Sequence, residues 1–210
     1  MSRVAVVGAG GHAKVIIDLL RSGGHEVVAC LDEGRVGQVV NGVPVLGDER
    51  VQLPLLKEQG VDAVFVALGD NRLRRKVATA VAAAGLEMIA AVGRSAVISP
   101  SARIGQGCAI MEGAILNADV VVHDFAIINT NASVDHDCVV GAFAHVAPGS
   151  TLAGGVEVGA SVFLGAGTRV IPGIRIADGA TIGAGGVVVR DIDSTGTWVG
   201  VPARQIKIKD

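Results

Sequence analysis

Aromatic side chains are nearly missing from this chain. It has four Phe, one Trp and no Tyr among 210 residues, or 2 %, which suits a thin interior with little room for rings. Long apolar runs are missing as well. No stretch approaches the roughly 18 residues needed to span a bilayer, so membrane insertion is not expected. No secretory leader is read at the start, because MSRVAVVGAG runs straight into an apolar strand without a cationic stretch ahead of it. Basic clusters are lacking and the formal charge is −2, which leaves nucleic acid little electrostatic reason to bind. Cysteine is sparse and odd in number, at three. That favours reduced thiols and a cytoplasmic protein over a disulfide framework.

Glycine, in contrast, is abundant, at 30 residues, as a structure made of corners requires. The corners follow a period. From Ile98 every sixth residue is aliphatic through sixteen consecutive hexads, by way of Ile104, Ile110 and Leu116 to Ile182 and Val188. The position four residues after each is mostly small, as at Ala102, Cys108, Ala114, Cys138 and Ala144. A period of six is neither the 3.6 of a helix nor the 2 of a flat strand, so it marks a repeat architecture. One large and one small inward residue per hexad fit a narrow triangular prism in which three hexads make one coil. This is the hexapeptide signature of a parallel β-helix, whose coils stack about 4.8 Å apart with residues three hexads apart in one column. Cys108 and Cys138 lie 30 residues apart and therefore on different columns, so no disulfide is expected between them.

The first ninety residues read differently. RVAVV at 3–7 is a short apolar strand, followed by GAGGHA and a helical run over Lys14–Arg21. A second strand at Glu26–Leu31 ends in Asp32-Glu33. A loop with a turn at Gly42-Val43-Pro44 follows, then a helix near 49–59, a strand at 62–68, Gly69-Asp70-Asn71, a helix to about Ala84 and a last strand near 86–91. Strands alternating with helices give a small parallel sheet. Gly8, Gly10 and Ala13 satisfy G-x-G-x-x-A between a strand and a helix, with Asp32 about twenty residues on. A glycine turn at a helix N-terminus presents backbone N–H groups that favour phosphate. A full dinucleotide fold needs two such halves, and there is room for one, so a single nucleotide diphosphate is the expected ligand. His12 lies in this turn and is read as a contact to a bound sugar or phosphate.

Three histidines, His123, His136 and His145, fall in the coil, and none replaces an inward aliphatic. All three are expected to project outward, where an imidazole is by default a solvated surface group. His136 stands out because it sits in Val134-Asp135-His136-Asp137, where either neighbouring carboxylate can orient the ring and support its charged form. Asn129, Thr130 and Asn131 add polar groups to the same coil.

The order GAGGHAKVIIDLL, Asp32-Glu33, NGVPVLGD, ALGDNRLR, NTNASVDHDCVVGAFAHVAPGSTLAGGVEVG and VGVPARQIK resembles that of bacterial nucleotide-sugar acyltransferases. These are the UDP- or dTDP-4-amino-sugar N-acetyltransferases and their sialic-acid O-acetyltransferase-like relatives. The resemblance covers essentially the whole chain. It implies an α/β N-terminal domain with a small Rossmann-like parallel sheet at 1–92, a left-handed parallel β-helix at 93–190 and a closing segment at 191–210. It also implies acetyl-CoA as co-substrate, and no metal is expected. In this comparison His136 takes the general-base role and Asp137 polarises it, in a place where the family usually has Glu, with Asp135 as the other candidate. His145 corresponds to a contact with acetyl-CoA, and Ala166 and Ala184 to backbone contacts with it. Gly10, Gly11, His12, Asp32, Glu33 and Gly69 match the nucleotide-sugar contacts.

Coil arithmetic adds a geometric expectation. Ala166 and Ala184 share a column with Pro148, and His145 lies near that column. His136 precedes His145 by nine residues, half a coil, so the two rings should face opposite sides of one prism. A shared acetyl group then requires a second chain, and a homotrimer with three interfacial sites is the simplest closed arrangement. The reaction expected is acetyl transfer to the amine of a nucleotide-linked 4-amino-dideoxy sugar. O-acetylation of a sialic acid or other sugar hydroxyl uses the same histidine and is the alternative. A non-catalytic β-helix scaffold is a reading of another class, and so is an NAD-dependent oxidoreductase resting on the glycine turn. The offsets of 13 and 9 among His123, His136 and His145 do not build a metal site between chains.

Overall fold

The computed structural model describes residues 1–206, which fall into two compact units, one of residues 1–94 and one beginning at Ser95. The first is built on β1 (Arg3–Val7), α1 (Gly11–Ser22), β2 (Glu26–Leu31), β3 (Val39–Val40), β4 (Val43–Leu46), α2 (Glu49–Glu58), β5 (Ala63–Val66), α3 (Asn71–Ala82) and β6 (Glu87–Met88). Its sheet runs in the order β3-β4-β2-β1-β5-β6, parallel throughout except for the antiparallel β3–β4 pair. Strands β1 and β5 are buried almost without break, as a parallel sheet covered on both faces requires. The α1 residues facing it, Ala13, Ile16, Ile17 and Leu20, recur at the i, i+3, i+4, i+7 spacing of an apolar stripe and are at most 1 % exposed.

Where a loop was expected around residues 42–44, the chain forms the β3–β4 hairpin. Asn41 and Gly42 have φ of 46° and 76°, so both central residues are left-handed, as in the two-residue turn whose twist matches the flanking strands. Asn41 also fastens the hairpin to α1. Its Nδ2 donates to the Lys14 carbonyl and to Asp18 Oδ1, each at 3.1 Å, and its carbonyl accepts from Arg21 Nη1 at 2.7 Å. The last expected strand is shorter than its apolar run, with β6 at Glu87–Met88 and a separate extended pair at Ala91–Val92.

The second unit is a parallel β-helix made of two-residue strands on three walls. The first wall stacks Ala109–Ile110, Ile127–Ile128, His145–Val146, Phe163–Leu164 and Ala180–Ile182. The second stacks Val97–Ile98, Ile115–Leu116, Ser133–Val134, Thr151–Leu152, Arg169–Val170 and Val187–Val188. The third stacks Arg103–Ile104, Val121–Val122, Val139–Val140, Glu157–Val158 and Arg175–Ile176. Among these strands partners differ by 18, as in Ile110↔Ile128, Leu116↔Val134 and Val122↔Val140, and only past them, where Ala180 pairs with Gly196, does the offset change. Every hexad aliphatic from Ile110 to Val188 is buried, and only Ile98 and Ile104, in the first coil, are half-exposed.

Polar inward residues are satisfied by the next coil. The thiols of Cys108 and Cys138 donate to the carbonyls of His123 and Ala153, both at 3.1 Å, and Ser150 Oγ donates to the Gly165 carbonyl at 3.1 Å. All three cysteines are free and buried, and burial pushes the Cys30 and Cys108 thiols up to about 11. The turns between walls repeat one backbone shape. At fourteen successive hexad positions, Gly107 to Gly185, φ is positive, and six of these residues are not glycine: Asp119, Phe125, Asn131, Asp137, Phe143 and Ser161. Each such residue carries a conformational cost of about 1–3 kcal/mol that surrounding contacts must offset.

Candidate active site

The expected nucleotide contacts collect at the C-terminal ends of three adjacent strands, β2, β1 and β5. Among the parallel strands the chain order reverses at β1, which makes the crevice beyond β1 and β5 the place where ligands bind in such sheets. Gly8 leaves β1 with φ +107°, and a Cβ there would meet the Ala67 carbonyl oxygen at 3.0 Å. The two strand exits therefore pack backbone to backbone. Gly10, the N-cap of α1, provides no side-chain cap, and the first turn holds no acidic residue. The helix thus opens toward anionic groups. A Cβ at Gly10, Gly11 or Gly69 would meet nothing within 4 Å, so these backbones border open space. His12 is half-buried on the first turn of α1.

Asp32 is committed to the loops. Its Oδ2 accepts from the Ala9 N–H at 3.2 Å and its Oδ1 from the Gly34 N–H at 3.0 Å, so one carboxylate ties the glycine turn to the 3-10 turn Glu33–Arg35. Glu33 beside it is exposed. Sequence reasoning did not single out Arg74. This α3 residue is only 1 % exposed, and its Nη1 donates to the Leu68 and Gly69 carbonyls at 3.0 and 3.2 Å.

In the coil, His136 and Asp137 occupy the corner between the second and third walls. His136 Nδ1 and Asp137 Oδ2 are 2.8 Å apart, with side chains 61 % and 66 % exposed. Asp137 reaches the ring because its backbone is left-handed, at φ +58°, a conformation that Asp tolerates better than most residues. Asp135 does different work. Its Oδ1 accepts from the His136 N–H and from Asn117 Nδ2, each at 2.8 Å, which holds the turn rather than the ring. Of the two candidate carboxylates, then, Asp137 orients the imidazole. Its hydrogen bond, reinforced by the charge of Asp135, raises the His136 pKa above the ordinary 6.5. The Asn117 and His136 hydrogen bonds hold Asp135 below the usual carboxylate range.

Gly154, one coil below, is a second residue that sequence reasoning missed. A Cβ there would lie 2.6 Å from both Cε1 and Nε2 of His136, so the imidazole rests on a step that only glycine leaves clear. The signal was available, since Gly154 follows His136 by one coil of 18 residues in register.

His145 departs from expectation. It projects outward from the first wall, yet it is only 8 % exposed. The Phe163 ring meets it edge-on, with centroids 5.3 Å apart, and Asn129 Nδ2 lies 2.9 Å from its Nε2. Because Asn129 Oδ1 accepts from the Thr130 N–H at 2.8 Å, the amide turns its donor to the ring, and His145 Nε2 accepts. Ala166 and Ala184 stack at the corner between the first and second walls. The Gly167 N–H donates to the Pro148 carbonyl at 2.9 Å and the Gly185 N–H to the Ala166 carbonyl at 2.8 Å. In one chain the His136 corner lies opposite the wall that carries His145, and the two are not brought together. His123 is exposed at another corner. Among the described residues no group of three or more His, Cys, Asp or Glu could hold a metal, and no helix is long and apolar enough to cross a membrane.

Comparison with known proteins places the geometry in context. Residues 3–81 match the PglD N-terminal domain family. The chain is 48 % identical to a point variant of perosamine N-acetyltransferase from Caulobacter crescentus, solved in complex with CoA and GDP-perosamine. That match has a TM-score of 0.95 and covers 99 % of this chain and 98 % of that one. It is 38 % identical to the acetyltransferase domain of PglB from Neisseria gonorrhoeae in complex with acetyl coenzyme A, with a TM-score of 0.92 over 98 % of this chain and 99 % of that one. It is also 34 % identical over 112 residues, 53 % of this chain, to the UDP-N-acetylbacillosamine N-acetyltransferase of Bacillus subtilis. That match spans 52 % of the length of the Bacillus protein, and a match to an uncharacterised protein of Acanthamoeba polyphaga mimivirus, 33 % identical over 125 residues, spans 24 % of that protein.

Proposed function

The chain belongs to the family of sugar N-acetyltransferases represented by these proteins, and from that premise we propose that it transfers the acetyl group of acetyl-CoA to the amine of a nucleotide-linked 4-amino sugar. The N-terminal unit takes the nucleotide at Gly10, Gly11, His12, Asp32, Glu33 and Gly69. The coil carries the chemistry. The sugar amine attacks the thioester carbonyl, and His136 Nε2 accepts the proton the amine gives up. The tetrahedral intermediate then collapses, the C–S bond breaks, and the departing CoA sulfur takes a proton from His136. Asp137 holds the ring and stabilises its charged form meanwhile. No acyl-enzyme is needed, and bringing two bound substrates together supplies much of the acceleration.

The observation that carries this reading is the exposed His136–Asp137 pair, preassembled at 2.8 Å. The test is thiol release from acetyl-CoA with GDP-perosamine, the ligand of the Caulobacter relative, run beside UDP- and dTDP-linked 4-amino sugars. Acetylation of one of these amines, stable to mild alkali in the product, is the expected result. An alkali-labile product from a sugar hydroxyl would replace the amide with an ester. No release with any acceptor would return the chain to a scaffold role. Buried, unpaired thiols fit the cytoplasm as its place of work.

The acetyl-CoA contacts proposed for His145, Ala166 and Ala184 lie on the first wall and its corner with the second, away from His136. A homotrimer resolves this, with His136 of one prism meeting the first wall of the next. Mixing inactive His136→Ala chains with inactive His145→Ala chains should restore part of the activity, because some interfaces regain both imidazoles. A mixture as dead as its components, or a fully active monomer in sedimentation, would end the shared-site arrangement.

A further inference from the structure

Arg74 lies buried beneath the loop that leaves β5. Its guanidinium is buried at 1 % exposure behind the loop that leaves β5. Nη1 donates to the carbonyls of Leu68 and Gly69 at 3.0 and 3.2 Å, and Nη2 donates to Asn71 Oδ1 at 2.9 Å. The same turn is closed by the Arg74 N–H donating to the Asp70 carbonyl at 2.8 Å and by Asp70 Oδ1 accepting from the Leu73 N–H at 2.7 Å. A trans peptide points its C=O and the following N–H in opposite directions. The carbonyl of Gly69 is held on Arg74, so the Asp70 N–H turns away from the interior, on the side where Gly69 borders open space. Gly8, on the neighbouring β1 exit, packs against Ala67 and Leu68 of this same loop.

A cation buried on backbone carbonyls is costly unless those contacts are all made. Two bonds from one nitrogen to consecutive carbonyls fix both peptide planes at once, which a helix stripe of apolar residues could not do.

We propose that Arg74 is a positioning residue for nucleotide-sugar binding, setting the peptide planes of the Leu68–Asp70 loop so that the loop's outward N–H meets a hydrogen-bond acceptor on the nucleotide. This rests on the nucleotide-binding reading of the N-terminal unit. The ligand class is a nucleoside diphosphate, and the residue acts through the loop and not by touching it.

Three variants of the full chain test this: Arg74→Met, Arg74→Lys and Asn71→Ala, each measured by calorimetric titration with GDP, UDP, dTDP and CoA, and by thermal unfolding. Arg74→Met should weaken binding of the preferred nucleoside diphosphate by about tenfold or more, the scale of one charge-assisted hydrogen bond lost from the site. CoA affinity should stay unchanged. Arg74→Lys keeps a cation that can reach one carbonyl, so it should recover part of the loss, and it carries the test if the Met variant does not fold. Asn71→Ala removes a buried acceptor but leaves both carbonyl contacts, so it should lower the melting temperature while nucleotide affinity holds. Unchanged nucleotide affinity in both Arg74 variants would overturn the proposal, as would affinity losses that simply track melting temperature across all three. A wild-type chain that binds CoA but none of the three diphosphates would instead overturn the cleft reading, and this inference with it.

Discussion

The sheet unit and the coil place their candidate residues by opposite means. In the sheet, the site is made where regular structure stops, at the exits of β1, β2 and β5, and most of what it offers is backbone. Glycines there keep the surface open, and Asp32 and Arg74 are occupied in holding loops. In the coil, regular structure never stops for more than a corner. The candidate side chains are grafted onto corners whose backbone repeats identically above and below. His136 and Asp137 differ from their stacked neighbours Gly154 and Gly155 in side chain alone, since Asp137 and Gly155 share the same left-handed backbone, at φ +58° and +68°. A sheet site is thus moved through the side chains that hold its loops, and a coil site through the side chains that compose it.

The largest effect should come from the coil. His136→Ala is expected to lower kcat by about 10²–10⁴-fold, the range for a lost general base, with nucleotide and CoA affinity nearly intact. Turnover close to wild type would take His136 out of the reaction. Next is the wall beneath it. Leu152, fully buried, should cost about 2–5 kcal/mol on truncation to Ala, while its outward neighbour Thr151 changes stability by no more than about 0.5 kcal/mol. Urea unfolding of both variants measures the contrast, and equal losses would mean the inward and outward faces are not distinct. Gly154→Ala comes third. Its backbone needs no positive φ, so the fold should hold, but the new methyl displaces the imidazole. A shift of about 1 Å at a catalytic group can cost about 10²-fold in rate. Lost turnover with an unchanged melting temperature is the expected signature, and unchanged turnover would show that the ring does not depend on that step.

The same contrast explains what could be read from the chain alone. The coil was legible because each hexad solves one local problem, and sixteen repetitions make the solution unmistakable. The β3–β4 hairpin was legible too, in Asn41-Gly42, but the Gly-Val-Pro segment beside it pointed to a loop. His145 was not legible as a buried ring. Its cover comes from Phe163 on one adjacent strand of its wall and from Asn129 just past the other, and outward periodicity carries no information about cover. Arg74 was the least legible. On an amphipathic helix with Arg72, Arg75 and Lys76, a further cation reads as solvated surface, and only the free carbonyls of the β5 exit loop, five and six residues upstream, give it a reason to be inside.

The smallest effect asks how far the Asp137 pairing, more than the corner itself, sets the chemistry. Asp137→Asn keeps a residue suited to a left-handed backbone and can still bond the ring, but it removes the charge. The carboxylate raises the His136 pKa, so the free enzyme loses its neutral base at a higher pH than an isolated imidazole would. The acid limb of kcat/KM should therefore fall above pH 6.5 in the wild type. In Asp137→Asn the limb should move to lower pH, though not fully to the ordinary value, because Asp135 still favours the charged ring. The plateau should drop as well, since the developing imidazolium has lost its partner. The stability sign agrees. A raised folded value means the pair stabilises the fold in acid, and that gain disappears as pH rises through it. An acid limb that stays in place while the plateau falls would assign Asp137 to ring geometry alone.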